Sequence, residues 1–395
     1  MSLTPRRADP MPVSIGARNG WRFAARFAIA ALTLLTLAPA VPVRAQQTGV
    51  RYGTVSSASA HADAIEKTRA FARALMDSAG LPGLSVAVGI GGQVIYTEGF
   101  GWADVENRVP VTPLTRMRIG SVSKPVTAAA LGLLIEQGRL DVDQPVQRYV
   151  PSFPTKRWPF TVRQVAGHIA GVRHYNGDEN LSAVRYSSVN AGLDIFKNDT
   201  LLFEPGTRYS YSSYGWNLVS AVIEGASGDE FLGFMRTHVF EPLALNSIVA
   251  EHTDSLIDWR ATFYERGRDG RLVRAPYVDN SYKWAGGGFI SNTADLVRFA
   301  MVHATPGFLQ PATVETLWSP QQLRSGESTG YGIGWGSSTD ANGRRIVSHT
   351  GGSVGGRAVL ILYPSENLAV AMLSNAGHAP MSVANARRVA EFFFR

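Results

Sequence analysis

Strand-like runs lie at the two ends of this chain, and one sheet built from both ends is the arrangement that pairs them all. Leu84 to Val88 and Val94 to Tyr96 are apolar and joined through Gly91-Gly92, a hairpin signal. Near the other end come Tyr331 to Trp335, Arg345 to Ser348, Ala358 to Tyr363 and Leu368 to Leu373, with Asn342-Gly343 and Glu366-Asn367 supplying turns. A helix is expected from Ala62 to Ser78 and a last one from Met381 to Phe394. Between these ends, from about 140 to 330, the pattern reads as short helices, loops and one hairpin around Asp269-Gly270. Thr161-Val162-Arg163-Gln164 is a capping box there. The expectation is one α/β domain over residues 62–394, its sheet drawn from both termini, with an inserted, more helical part packed against it.

The N-terminal segment is read apart from this domain. Arg18, Arg22 and Arg26 precede an apolar run from Phe27 to Leu37, and Val43-Arg44-Ala45 follows as a small-residue cleavage site. That order is a secretory signal over residues 1–45, cut near Ala45, with 46–61 as a linker. The run is short for a membrane span, and no later segment is long and apolar enough for one. The signal changes the meaning of the charge. The whole chain has 38 basic and 31 acidic residues, but residues 1–45 hold six arginines and one aspartate, leaving 32 against 30. The basic balance belongs mostly to the leader and makes no case for nucleic acid. With 45% hydrophobic and 17% charged residues the chain is globular, not disordered. It has no cysteine, which excludes disulfides, thiol catalysis and thiolate metal sites. Export without disulfides suits a bacterial periplasm or secretion.

Ser121 and Lys124 carry the strongest chemical signal. They lie three apart in Arg118-Ile119-Gly120-Ser121-Val122-Ser123-Lys124-Pro125, at the head of the apolar run Val126 to Ile135. If that run is a helix from Ser121 to near Gly138, both side chains share a face of its first turn. The spacing alone arises by chance, so context decides. After residue 45 the chain has only five lysines, at 67, 124, 156, 197 and 283, and Lys124 sits in an otherwise apolar helix. A buried lysine can lose its proton, which arginine cannot. A surface lysine would predict a polar face, and Val126-Thr127-Ala128-Ala129-Ala130-Leu131 shows little of one.

Two further groups complete a site. Pro205-Gly206 fixes a turn ahead of Tyr211, which lies on a loop before an apolar helix from about Trp216 to Glu224. A phenol there is placed to relay a proton if neighbouring lysines lower its pKa. His349-Thr350-Gly351-Gly352 ends the strand that begins near Arg345, and its glycines would let a substrate backbone approach. A backbone N–H there would pair with that of Ser121 to hold an oxyanion. Gly351-Gly352-Ser353-Val354-Gly355 matches a nucleophile elbow, but the elbow needs a helix after it, and Arg357 to Tyr363 reads as a strand. The eight histidines show no close ligand pair; His168 and His174 flank a Gly171 turn and read as structural.

With these elements in order the chain resembles the serine β-lactamase and penicillin-binding superfamily, in its class C-related branch, over about residues 62–394. The segments Thr161 to Tyr175, Phe240-Glu241-Pro242-Leu243 and Tyr282-Lys283-Trp284-Ala285-Gly286-Gly287-Gly288-Phe289 are similar too. The nearest likeness is to the mitochondrial β-lactamase-like serine peptidase group. The resemblance implies a β-lactamase/transpeptidase-like fold, with an antiparallel sheet flanked by helices, and a serine hydrolase needing no metal or cofactor. It implies that Ser121 is acylated, that Lys124 accepts or relays its proton, and that Tyr211 acts as base and acid with Lys124. The N–H groups of Ser121 and Gly352 would form the oxyanion hole; Ser213, His349, Thr350 and Gly351 would meet the substrate, the last three from an edge strand. Two positions depart from the family pattern. Ser213 stands where Asn is usual, and His349 where Lys is usual, so a substrate amide contact is shortened and a fixed cation is lost. Both count against penicillin hydrolysis. A peptide-like amide is the expected substrate, with cell-wall peptide as one source, then an ester, then a β-lactam. A non-catalytic binding or scaffold protein on the same fold is the contrasting class.

Overall fold

The computed structural model describes residues 60–394; the expected signal and nearly all of the linker lie outside the described residues. The first helix, α1 (Ala62–Ala79), ends on Gly80, whose left-handed φ of 60° lets its N–H reach back to the Met76 carbonyl. The hairpin of β1 (Gly83–Ile90) and β2 (Gln93–Asp104) turns through Gly91 and Gly92 at φ 58° and 82°, the pair of positive angles a two-residue hairpin loop demands. β3 (Val109–Pro110) follows, then α2 (Ser123–Glu136) and α3 (Ser213–Ser227). Next are α4 (Thr293–Met301), β4 (Gly336–Thr339), β5 (Arg345–Ser353), β6 (Gly356–Tyr363), β7 (Leu368–Ser374) and α5 (Val383–Glu391).

The seven strands form one antiparallel sheet in the order β3-β2-β1-β7-β6-β5-β4. The joint between the chain ends is β1 with β7, in register from Leu84 opposite Ser374 to Ile90 opposite Leu368. Helices cover both faces, so the central strands are buried throughout: all seven residues of β7, and seven of eight in β1. This is why they read as continuous apolar runs without alternation. On one face α1 and α5 meet, with Phe71 and Phe392 in edge contact. On the other, α2 and α3 pack into the larger core around the fully buried Trp216 and Trp335. No helix among the described residues is long and apolar enough to cross a membrane.

Three expectations change. The segment Tyr331 to Trp335 is not a strand. Gly334 takes φ 79° and the Gly332 N–H bonds to the Trp335 carbonyl, so the chain turns there, and the strand forms one residue later as β4. The helix carrying the Ser-x-x-Lys signal starts at Ser123; Ser121 sits in a 3₁₀ turn, Gly120–Val122, before it. Gly120 causes this, since its φ of 49° cannot continue into an α-helix, and Pro125 is tolerated because first-turn N–H groups need no helical partner. The strand holding His349 is not at the sheet's edge. β4 lies outside it, but pairs only with Arg345 to Ser348, so from His349 onward β5 has no strand partner on that side among the described residues.

Candidate active site

The 3₁₀ turn keeps the promise of the spacing, because side chains three apart eclipse in that geometry. Lys124 Nζ lies 3.0 Å from Ser121 Oγ. The same nitrogen reaches the Gly286 carbonyl at 2.7 Å and Ser213 Oγ at 3.4 Å, and sits 4.8 Å from the centre of the Tyr211 ring. Lys124 is fully buried and has no carboxylate partner among the described residues. Burial, reinforced by the charge of Lys283, pushes its pKa well below the ordinary lysine range. All three neighbours are oxygens that accept from it: the Gly286 carbonyl, Ser213 Oγ and the Oγ of the half-buried Ser121.

Tyr211 approaches from the loop before α3, and two histidines fix that loop. The Ser212 N–H donates to His168 Nδ1 and the Ser213 N–H to His174 Nδ1, both at 3.1 Å. Accepting at Nδ1 requires neutral rings, and burial holds His168 well below its usual pKa. Ser212 also caps α3, accepting from the Gly215 N–H at 2.9 Å, which starts the helix three residues before the sequence suggested. The capping box holds as expected, Thr161 and Gln164 bonding reciprocally, and delivers the chain to His168. Tyr211 departs from expectation in one respect. Burial raises its pKa, and hydrogen bonding with Ser121 only partly opposes this. The balance leaves the phenol well above its ordinary range, so it keeps its proton at neutral pH.

The third wall is β5. A Cβ on Gly120 would lie 2.8 Å from the Gly352 nitrogen, and one on Gly351 would lie 1.9 Å from the Ile119 carbonyl. These glycines let the Ser121 turn and β5 touch backbone to backbone, Gly120 against Gly352 and Ile119 against Gly351. Gly351 is thus buried against the chain itself and not open to substrate, which corrects its expected role. His349 is corrected as well. It is 7% exposed, and its ring is spoken for: Nδ1 donates to the Thr350 carbonyl at 2.6 Å, and Nε2 accepts from Tyr331 Oη at 2.9 Å. Its ring centre is 6.3 Å from that of Tyr211, so it backs the site without lining it. Thr350 is exposed beside it. The elbow reading of Ser353 fails, since a two-residue turn and then β6 follow it.

A cleft of about 400 Å³ joins Ser121, Tyr211, Ser213 and Gly352. Its lining adds Lys283, Arg357 and Glu265, which the sequence did not single out as site residues. Lys283 had one available signal: it is among the five lysines after residue 45, and lies in a segment with family likeness. It reaches the cleft because Thr127 Oγ1 and Lys124 tie α2 to the carbonyls of Ala285 and Gly286.

The buried histidines make the fold acid-sensitive. Burial lowers His349 to about 3 and His303, buried against Phe299 and Trp335, to about 4, from the ordinary 6.5. Above pH 6.5 both states are neutral at these groups and the full stability is present. Below it the unfolded chain takes up protons that the fold refuses, so stability falls from pH 6.5 downward, the His303 share levelling off near 4 and the His349 share near 3. His303 alone accounts for about 3 kcal/mol of that loss. Urea midpoints taken from pH 7.5 down to 4.5 are expected to fall, and His303→Leu to flatten the slope; an unchanged slope would reject the assignment.

Residues 68–392 match the beta-lactamase family model. The chain is 34% identical to the human mitochondrial serine beta-lactamase-like protein LACTB, over 77% of this chain and 73% of that protein. It is 30% identical to penicillin-binding protein 4* of Bacillus subtilis (strain 168), over 72% of this chain and 66% of that one. Among solved structures, the octameric penicillin-binding protein homologue from Pyrococcus abyssi superposes with a TM-score of 0.73 at 26% identity, covering 83% of this chain and 77% of that one.

Proposed function

This chain belongs to the beta-lactamase family and is a serine hydrolase; from that premise we propose that Ser121 is its nucleophile and that it cleaves peptide-like amides through an acyl-enzyme. The observation that carries the reading is a fully buried Lys124 without an acid, 3.0 Å from Ser121 Oγ. Neutral Lys124 takes the Ser121 proton as Oγ attacks the carbonyl carbon. The oxyanion is held by the N–H groups of Ser121 and Gly352. Tyr211, its phenol protonated, passes a proton to the leaving nitrogen as the C–N bond breaks, and Lys124 re-protonates the phenol. Water then hydrolyses the ester on Ser121, with the same groups moving protons in reverse. The sequence reading gave Tyr211 a share of the base role; the directions of the two pKa shifts favour Lys124 as base and Tyr211 as acid.

Substrate preference follows from what the site lacks. Ser213 is too short for the amide contact of an Asn, and His349 is buried and neutral, so no cation stands at that end of β5 for a penicillin carboxylate. Peptide amides, cell-wall peptides among them, rank first, esters second and β-lactams third. The scaffold alternative is disfavoured because a binding protein has no need to bury an unpaired lysine against a serine. The arginine-flanked apolar run before Ala45 supports export to the periplasm or beyond, with cleavage near Ala45. The test is a fluorescent fluorophosphonate followed by peptide mapping, with rates measured on nitrocefin, p-nitrophenyl esters and D-alanyl or L-peptides. The label is expected on Ser121 and the highest kcat/KM on a peptide; a label on Ser353, or nitrocefin as the best substrate, would overturn the reading.

A further inference from the structure

Two cations line the Ser121 cleft without partners. Lys283 is 5% exposed, and its side chain makes no hydrogen bond or ion pair among the described residues. Its ammonium lies 5.2 Å from the centre of the Tyr282 ring and 5.8 Å from that of Tyr175, contacts weaker than a carboxylate would give. Burial lowers it to about 8, Arg118 adding to that and Glu251 opposing it, so at neutral pH it still carries its charge. Arg357 stands on β6 opposite Gly352. A Cβ on Gly352 would come within 2.5 Å of Arg357 Nη1, so the guanidinium fills the space that a side chain would take beside the oxyanion N–H. It too has no hydrogen bond or ion pair among the described residues. The one carboxylate among the described lining residues, Glu265, accepts from the Gly355 N–H at 2.6 Å and pairs with neither cation.

Resting on the assignment of Ser121 as nucleophile, we propose that Lys283 and Arg357 form an anion subsite that takes a carboxylate carried on the acyl portion of the substrate. The side is set by the direction of β5. Tyr211, which protonates the leaving group, lies against His349. Gly352 and Arg357 are three residues further along, about 10 Å at the rise of a strand. The leaving group is thereby assigned to the side of the cleft where Tyr211 meets His349, and the acyl portion to the side lined by Gly352 and Arg357, with Lys283 on the cleft wall between Tyr175 and Lys124. A guanidinium with no ion pair among the described residues, and an ammonium whose nearest acid, Glu251, is already paired with Arg118, are suited to a carboxylate, with charge-assisted hydrogen bonds strongest where water is excluded.

The test uses activated esters, which report acylation directly. Mono-4-nitrophenyl glutarate is compared with its carbamoyl counterpart, placing the acid on the acyl side. The acetyl esters of 5-hydroxy-2-nitrobenzoate and 5-hydroxy-2-nitrobenzamide place it on the leaving side. Wild type is expected to favour the glutarate ester over its amide by about tenfold in kcat/KM, with little discrimination in the second pair. The acyl-side ratio is expected to fall to near one in Lys283→Met and in Arg357→Gln. A ratio near one in wild type, a ratio retained in both variants, or discrimination only on the leaving side overturns the proposal. Should Lys283→Met fail to fold, Arg357→Gln decides, since Arg357 is only half-buried. Fluorophosphonate that does not label Ser121 sinks the nucleophile assignment; labelling without acid–amide discrimination sinks only the subsite.

Discussion

Ser121→Ala is expected to fold as wild type, to take up no fluorophosphonate, and to lose hydrolysis by a factor on the order of 10⁵ or more. The loss is this large because the hydroxyl is the atom that forms the covalent bond, and nothing near it can substitute. Ser123 is fully buried, with Oγ 3.4 Å from the Phe289 N–H, and Ser213, on the cleft wall, is only 3% exposed and its Oγ accepts from Lys124 Nζ at 3.4 Å. Ser353 stands at the end of β5, with no helix after it to raise it as a nucleophile. The structural cost is small, since Ser121 is half-buried and its Oγ closes no core contact. Thermal unfolding within a few degrees of wild type, together with lost labelling, is the diagnostic pair. Retained hydrolysis in Ser121→Ala would sink the assignment outright.

The second large effect belongs to Lys124, and two substitutions separate its possible roles. Lys124→Met keeps an unbranched chain of similar length but removes the lone pair. It is expected to fold, with the Gly286 carbonyl and Ser213 losing a donor at about 1–3 kcal/mol, and to lose activity on the order of 10⁴-fold. Lys124→Arg places a cation that does not deprotonate in a site without an acid, so it is expected to be inactive and also less stable by several kcal/mol. Since base and nucleophile act as one unit, the double variant Ser121→Ala/Lys124→Met is expected to be no slower than the worse single variant. Additive losses would mean that Lys124 acts elsewhere than on Ser121. Wild-type activity is expected to fall on acidification, because a protonated Lys124 has no lone pair to receive the Ser121 proton. A rate that rose on acidification would contradict a neutral Lys124.

Much of the framework was legible because its causes are local. Gly91-Gly92, Asn342-Gly343 and the Thr161–Gln164 box act over two to four residues, and each forms the turn or cap it signals. The sheet was legible because strands buried on both faces must be apolar along their whole length. Tyr331 to Trp335 was misread for the matching reason: its apolar aromatics are buried, but Gly334 at φ 79° breaks the strand, and a residue pattern does not report which glycine takes a positive angle. Within the site, Ser121 and Lys124 were singled out by spacing and by the scarcity of lysine, and Tyr211 by its loop before a helix and by the family resemblance; the fold brings the three together. His349 and Gly351 were assigned to the substrate by the family resemblance and by glycines placed at the end of a strand. Their actual neighbours, Tyr331 and Ile119, come from elsewhere in the chain.

The sequence by itself determined the sheet from both ends, the shared face of Ser121 and Lys124, and the class of chemistry that such a pair performs. These depend on backbone period and on residue type, which are local properties. Only the tertiary structure decided that burial pushes Lys124 well below and Tyr211 above the ordinary range, and that Lys283 and Arg357 enter the same cleft. A pKa and a cleft are set by what surrounds an atom. Around Lys124 that is Gly286, Ser213 and Tyr211, all brought in from more than eighty positions away.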